Sequence, residues 1–261
     1  MNLFAAFQLP PQALLVFLLV LVRASALFLV APVLGNASVP ARVKVGLSAM
    51  LALIVTPVLL DQALPRELGN FWFLLPAVLS ELLLGVMIGF LSQLFFVAVQ
   101  FAGQMVGTQM GFGMASIFDP MAGSQVSVVG QFYMLLGVLV FLLLDGHHWV
   151  LIALQKSFVA VPLGSFTFDA RALQTVVAAS NDMFWVALMI MAPVLGVLVL
   201  GEVAMAIVAR ILPQMNVFVA SFPVKIGLGV MTMALSFPLL VGYLAGQTER
   251  TFATVLSILS P

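Results

Sequence analysis

Adjacent histidines are the first residues in this chain that could do chemistry. His147 and His148 stand in the short stretch "DGHHW" that begins at Asp145. A metal or general-base site needs partners at helical or turn spacing, and no second His, Asp or Glu cluster at i+3 or i+4 supplies a metal set such as H-E-x-x-H. The pair reads as a polar loop at a membrane boundary. "GFGMAS", from Gly111 to Ser116, resembles a glycine-rich phosphate loop. It has no third glycine, no P-loop lysine and no strand before it, so nucleotide binding is discarded. There is no G-x-S-x-G elbow, and the carboxylates are scattered rather than paired, which leaves acyl transfer and glycoside hydrolysis without a motif. The chain has no cysteine, which excludes disulfides, thiolate catalysis and cysteine-ligated metals. No catalytic residue, metal or cofactor is expected.

The remaining ionisable groups of interest sit inside apolar segments, where charge is costly. Arg23 falls near the middle of the first such segment. At the centre of a bilayer helix that would cost about 2.5 kcal/mol or more, so Arg23 should face protein. Glu81 begins a seam. With Gly85, Gly89, Ser92, Phe96, Gln100 and Gly103 it falls on one side of a helical wheel. Such a seam reads first as helix contact through small residues with polar groups as glue, and second as a face lining a conduit. Glu202 has no basic residue three or four positions away, so its partner must come from another helix or another chain.

These groups must be held by apolar helices. With 64% hydrophobic and 7% charged residues over 261 positions, the chain lies far from a soluble domain, which carries about 25% charge. Nine basic and nine acidic side chains cancel, which argues against nucleic acid as a partner. Apolar segments run over Ala13–Leu34, Val43–Leu60, Phe71–Phe101, Val128–Leu144, Met183–Val208 and Ile226–Leu244, with a shorter one over Trp149–Val161. Since about 20 apolar residues cross a bilayer, this is an all-α, membrane-type protein of six or seven long helices. Short connections with turn chemistry join them, and no linker or repeat divides the chain, so one domain over 1–261 is expected. The small-residue "ASA" at Ala24–Ala26 mimics a signal cleavage site. No basic residue precedes the apolar run and the run continues past it, which argues against cleavage. Basic residues stand at nearly every connection (Arg42, Lys44, Arg66, Lys156, Arg171, Arg210, Lys225, Arg250), so the asymmetry that sets membrane topology is missing. A chain held inside a protein assembly need not obey that rule.

One stretch fits neither helix nor turn. "GTQMGFGMASIFDPMAGSQV", Gly107 to Val126, is rich in glycine and sets methionines and phenylalanines between its glycines. Irregular backbone at membrane depth is tolerated only where protein buries it or where it lines an aqueous path. A loop carrying Met105, Met110, Phe112, Met114, Phe118 and Met121 could fold into a pore and close it with deformable side chains, with Asp119-Pro120 fixing one turn. Pro193, Gly196 and Gly201 in one segment, and Pro238 in another, predict kinked helices.

At this point the residues match a known pattern. "VRASALFLVAPVLG", "VPARVKVGLSAMLA", "ELLLGVMIGF", "AVQFAGQMVGTQMGFGMASIFDP" and "RILPQMNVFVASFPVKI" together make the chain resemble the FliR/SctT family over essentially its whole length. That family supplies the export-gate subunit of flagellar and virulence-associated type III secretion systems. The N-terminal wording is more similar to the flagellar branch. The resemblance implies a non-enzymatic subunit, one copy of which joins several P (FliP-like) and Q (FliQ-like) subunits in a closed, helical hetero-oligomer. It also implies association with an FlhB-like switch protein, an FlhA-like export component and the proximal rod protein, and passage of unfolded export substrates. The place implied is the bacterial inner membrane within the flagellar basal body, with much of the complex above the membrane plane on the periplasmic side. A plug loop in the family matches Gly107, Gln109, Met110, Gly111, Phe112, Gly113, Met114, Phe118, Asp119 and Pro120. Residues expected in assembly and packing are Arg23, Glu81, Gly85, Gly89, Gln100, Glu202, Arg210, Pro213, Gln214 and Lys225. The reading from another class is an autonomous secondary transporter using Glu81, Glu202 and Arg23; such proteins usually show inverted repeats, and none is convincing here.

Overall fold

A computed structural model describes residues 11–36, 38–60, 71–112 and 127–258. Seven helices follow one another with no strand among the described residues: α1 (Pro11–Val30), α2 (Ala41–Leu59), α3 (Phe71–Gln109), α4 (Val128–Leu143), α5 (Gly146–Ala160), α6 (Ala170–Ile211) and α7 (Val217–Ile258). The seventh helix expected from the shorter apolar stretch is α5. Five helices are long and apolar enough to cross a membrane, or six if α4 and α5 count as one broken span.

Three helices run well beyond their apolar middles. α3 continues from Phe101 to Gln109, α6 begins at Ala170 rather than Met183, and α7 begins at Val217 rather than Ile226. The added turns are polar or mixed, and backbone hydrogen bonding carries the helix through them. Side chains start three of the helices. Ser127 Oγ accepts from the Gly130 N–H, Asp169 Oδ1 from Ala172 and Asn216 Oδ1 from Val219, each satisfying an otherwise orphaned donor. Pro193 in α6 and Pro223 and Pro238 in α7 sit inside continuous helices.

The chain packs as two compact units. The first comprises residues 1–93, 147–179 and 251–261. Here α1 lies against α2, and α1 also lies along α3 at two glycines one turn apart. A side chain at Gly85 would strike the Arg23 carbonyl oxygen and the Ala26 Cβ, and one at Gly89 would lie 3.0 Å from both the Leu27 carbonyl oxygen and the Val30 Cβ. This is close helix approach through small-xxx-small spacing. The second unit comprises residues 94–146 and 180–250. In it α3 and α4 run antiparallel: Val99 meets Gly137, Gly103 meets Gly130 and Tyr133, and Gly107 meets Ser127 and Val129. Phe96 and Phe141 pack edge to face at 5.1 Å. α6 buries a single stripe, Ala187, Ile190, Val194, Leu198 and Gly201, at helical spacing.

Candidate functional site

In the first unit the charged residues named from sequence form one closed centre. Arg23 is fully buried, and so is Glu81. The guanidinium grips the carboxylate side-on: its Nε donates to Glu81 Oε2, and Nη2 donates to Oε1 at 3.0 Å. Its other N–H groups reach the end of α5. Nη1 donates to the Ser157 carbonyl at 2.8 Å and to its hydroxyl at 3.1 Å, while Nη2 donates to the Val161 carbonyl at 3.1 Å. The guanidinium carbon also sits 4.5 Å above the Phe158 ring.

Guanidinium carries five N–H donors and no acceptor, so every donor of Arg23 is used. The Ser157 carbonyl also accepts from the Val161 N–H, and the Val161 carbonyl lies just past the helix end, where the backbone dipole favours a cation. The Glu81 carboxylate takes a third bond, at Oε1, from the Gly164 N–H at 2.7 Å, in the turn after α5. One ion pair therefore ties α1, α3, the end of α5 and the turn beyond it. A buried charge with all its bonds satisfied is a brace, with no free donor for a transported ion or substrate.

The seam through Glu81 is a packing face. Gly85, Gly89, Ser92, Phe96 and Gly103 are buried, and the glycines meet neighbouring helices as described. Gln100 is exposed, so the seam does not run unbroken to the end of α3.

In the second unit Glu202 finds its partner on the next helix: Lys225 Nζ donates to Glu202 Oε1 at 2.6 Å. The pair is half exposed (21% for the Lys225 side chain, 41% for that of Glu202). It borders a notch lined by Met205, Ala206, Val217, Phe218 and Ser221. Arg210, Pro213 and Gln214 are exposed around the α6–α7 turn.

The central glycine-rich stretch begins differently from the expectation. Gly107 and Gln109 belong to α3, so the irregular backbone starts later than Gly107. Gly107 serves close packing against Ser127 instead of loosening the chain. The helix then ends in a Schellman turn. Phe112 N–H donates to the Gly107 carbonyl at 3.1 Å, Gly111 N–H donates to Thr108 at 3.0 Å, and Gly111 takes φ +97°. That pattern places glycine one position past the capping residue, here Met110, because a left-handed residue is needed there. Met110 is fully buried and Phe112 is exposed. Gly113, Met114, Phe118, Asp119 and Pro120 lie outside the described residues. At the start of α5 the His147 and His148 rings lie 4.4 Å apart.

Sequence reasoning missed Ser157, Phe158, Val161 and Gly164, which complete the Arg23 centre. Backbone acceptors carry no mark in a sequence; only the need for a buried arginine to face protein pointed toward them.

Comparison with known proteins places this architecture. Residues 14–251 match the model of the family described as "Bacterial export proteins, family 1". The chain belongs to that family. It is 32% identical over 240 residues to the flagellar biosynthetic protein FliR of Pectobacterium carotovorum subsp. carotovorum, covering 92% of this chain and 89% of that one. It is 32% identical over 247 residues to FliR of Bacillus subtilis (strain 168), covering 94% of each. With FliR of Escherichia coli (strain K12) the identity is 31% over 240 residues, with 92% and 89% covered.

Proposed function

We propose that this chain is the structural and gating subunit of a flagellar type III protein export gate, assembling with FliP-like and FliQ-like subunits into a closed conduit for unfolded flagellar proteins. The observation that carries this reading is a contrast between charge and apolar surface. Arg23, Glu81, Glu202 and Lys225 are satisfied within the chain, whereas the membrane-length helices α6 and α7 bury only 22% and 6% of their most apolar windows. Helices of this kind are made to be covered by other helices. The FlhB-like, FlhA-like and proximal rod proteins belong to the same assembly, in the inner membrane and rising toward the periplasm. The segment that follows α3, up to Val126, closes the conduit, and energy for export comes from other components. The chain itself catalyses nothing.

An autonomous transporter is the weaker reading, because its candidate ion groups are already committed to one another and to backbone. An injectisome subunit is weaker because the matched relatives reported above are flagellar proteins. The test is to express the tagged chain with and without P and Q subunits, purify it in mild detergent and weigh the product by native mass spectrometry. One copy of this chain with several partner copies is expected; a monomer or homodimer that ignores the partners sinks the proposal. In cells holding the whole gate, deletion of residues 107–115 should let ions and small solutes leak, and an intact barrier in that strain removes the closing role.

A further inference from the structure

The end of α3 and one face of α7 fit each other reciprocally. Phe222 and Gly229 lie seven residues apart, two turns of helix, and so share a face of α7. Opposite Gly229 lies the fully buried Met110: a Cβ added at 229 would stand 2.7 to 2.8 Å from its Cγ, Sδ and Cε. Opposite Phe222 lies Gly111, where an added Cβ would meet the ring at 2.7 and 2.9 Å. Large enters small in both directions, one residue apart on one helix and two turns apart on the other. α7 is also held to α6, by Leu228 lying over Gly201 and by the Lys225–Glu202 pair.

We infer that this double fit is a fixed anchor, in which Gly229 and Phe222 act as positioning residues that set where the chain leaves α3 at Phe112. The role rests on the gate reading above, since it is the direction of exit that a closing segment needs held. Three features support a fixed anchor over a sliding contact. Gly111 can take its left-handed turn because it has no side chain, and the same absence makes room for Phe222. Met110 has no exposed surface through which to withdraw. The Schellman bonds from Gly111 and Phe112 hold the turn after Gln109 to the last turn of α3.

The test uses the assembled gate. Gly229→Leu overfills the Met110 seat, and overpacking of this size shifts a two-state population by about tenfold or more. A solute leak about tenfold above wild type per assembled complex is expected, with Met110→Ala in the same chain restoring the barrier. A tight barrier in Gly229→Leu at normal complex yield overturns the inference, provided the strain lacking residues 107–115 does leak. If that deletion strain is also tight, the gate reading itself fails and takes this role with it. Should Gly229→Leu not assemble, a second variant decides. The chain has no cysteine, so Met110→Cys with Gly229→Cys gives a single thiol pair within reach of a disulfide, which needs a Cβ–Cβ separation of about 3.5–4.5 Å. Copper phenanthroline with oxygen should join the two thiols with loss of two hydrogens, and barrier and export of this same variant should be equal before and after oxidation. Failure to cross-link, or export that stops on oxidation and resumes with dithiothreitol, overturns a fixed anchor.

Discussion

Arg23 shows how one side chain can hold several elements when all its donors are used. Removing its carboxylate leaves a buried cation held only by the Ser157 and Val161 carbonyls, the Ser157 hydroxyl and the Phe158 ring, and Glu81→Ala should cost about 3–5 kcal/mol, read as a fall in thermal midpoint in mild detergent. Replacing both members, Arg23→Met with Glu81→Leu, removes the unpaired charge. It also strips the Val161 carbonyl and the Gly164 N–H of their partners, each a loss of about 1–3 kcal/mol for a buried group. The double variant should therefore recover only part of the loss; a midpoint equal to wild type would show that these backbone groups find other partners. At this scale sequence reading went halfway. A lone arginine in an apolar helix announces burial, and a lone Glu202 announces a partner elsewhere, yet the partner of Arg23 lies 58 positions away and nothing in the spacing links them.

Helices bring a different kind of legibility. Apolar length found all seven, because that signal reports the buried or lipid-facing middle, but it was blind to the mixed ends of α3, α6 and α7, where backbone hydrogen bonding and contacts such as those of Gly103 and Gly107 with α4 continue the helix. The glycines divide by what they face. Gly85 lies against α1, so Gly85→Val should overfill that contact and lower stability by about 1–3 kcal/mol. Gly196 and Gly242 have open space where a side chain would go, so alanine at either should raise helix stability by up to about 1 kcal/mol in the isolated chain. Thermal unfolding of the three variants separates the classes; equal shifts would mean the glycines act only through helix propensity. The loop expected from Gly107 shrank for the same reason: a glycine-rich sequence looks irregular until a neighbouring helix explains why its glycines must be small. For Gly113 to Val126 the sequence reading stands alone.

For the molecule as a whole, uncovered apolar surface sets the expectations. Leu200 and Leu239 are 70% and 76% exposed. With no native cysteine, Leu200→Cys and Leu239→Cys each provide a clean reporter: a membrane-impermeant maleimide should label the chain purified alone and fail to label it within the P and Q complex. Equal labelling in both would place these faces outside the assembly. Length carries a consequence of its own. α6 and α7 hold 42 residues each, a contour of about 63 Å at 1.5 Å per residue, against a hydrocarbon layer of about 30 Å. Fitting either helix wholly into that layer would take a tilt of about 60°, steeper than the 0–40° that membrane helices adopt. At ordinary tilts part of each helix therefore reaches past the lipid tails, and on the gate reading neighbouring subunits would cover the apolar side chains that stand there.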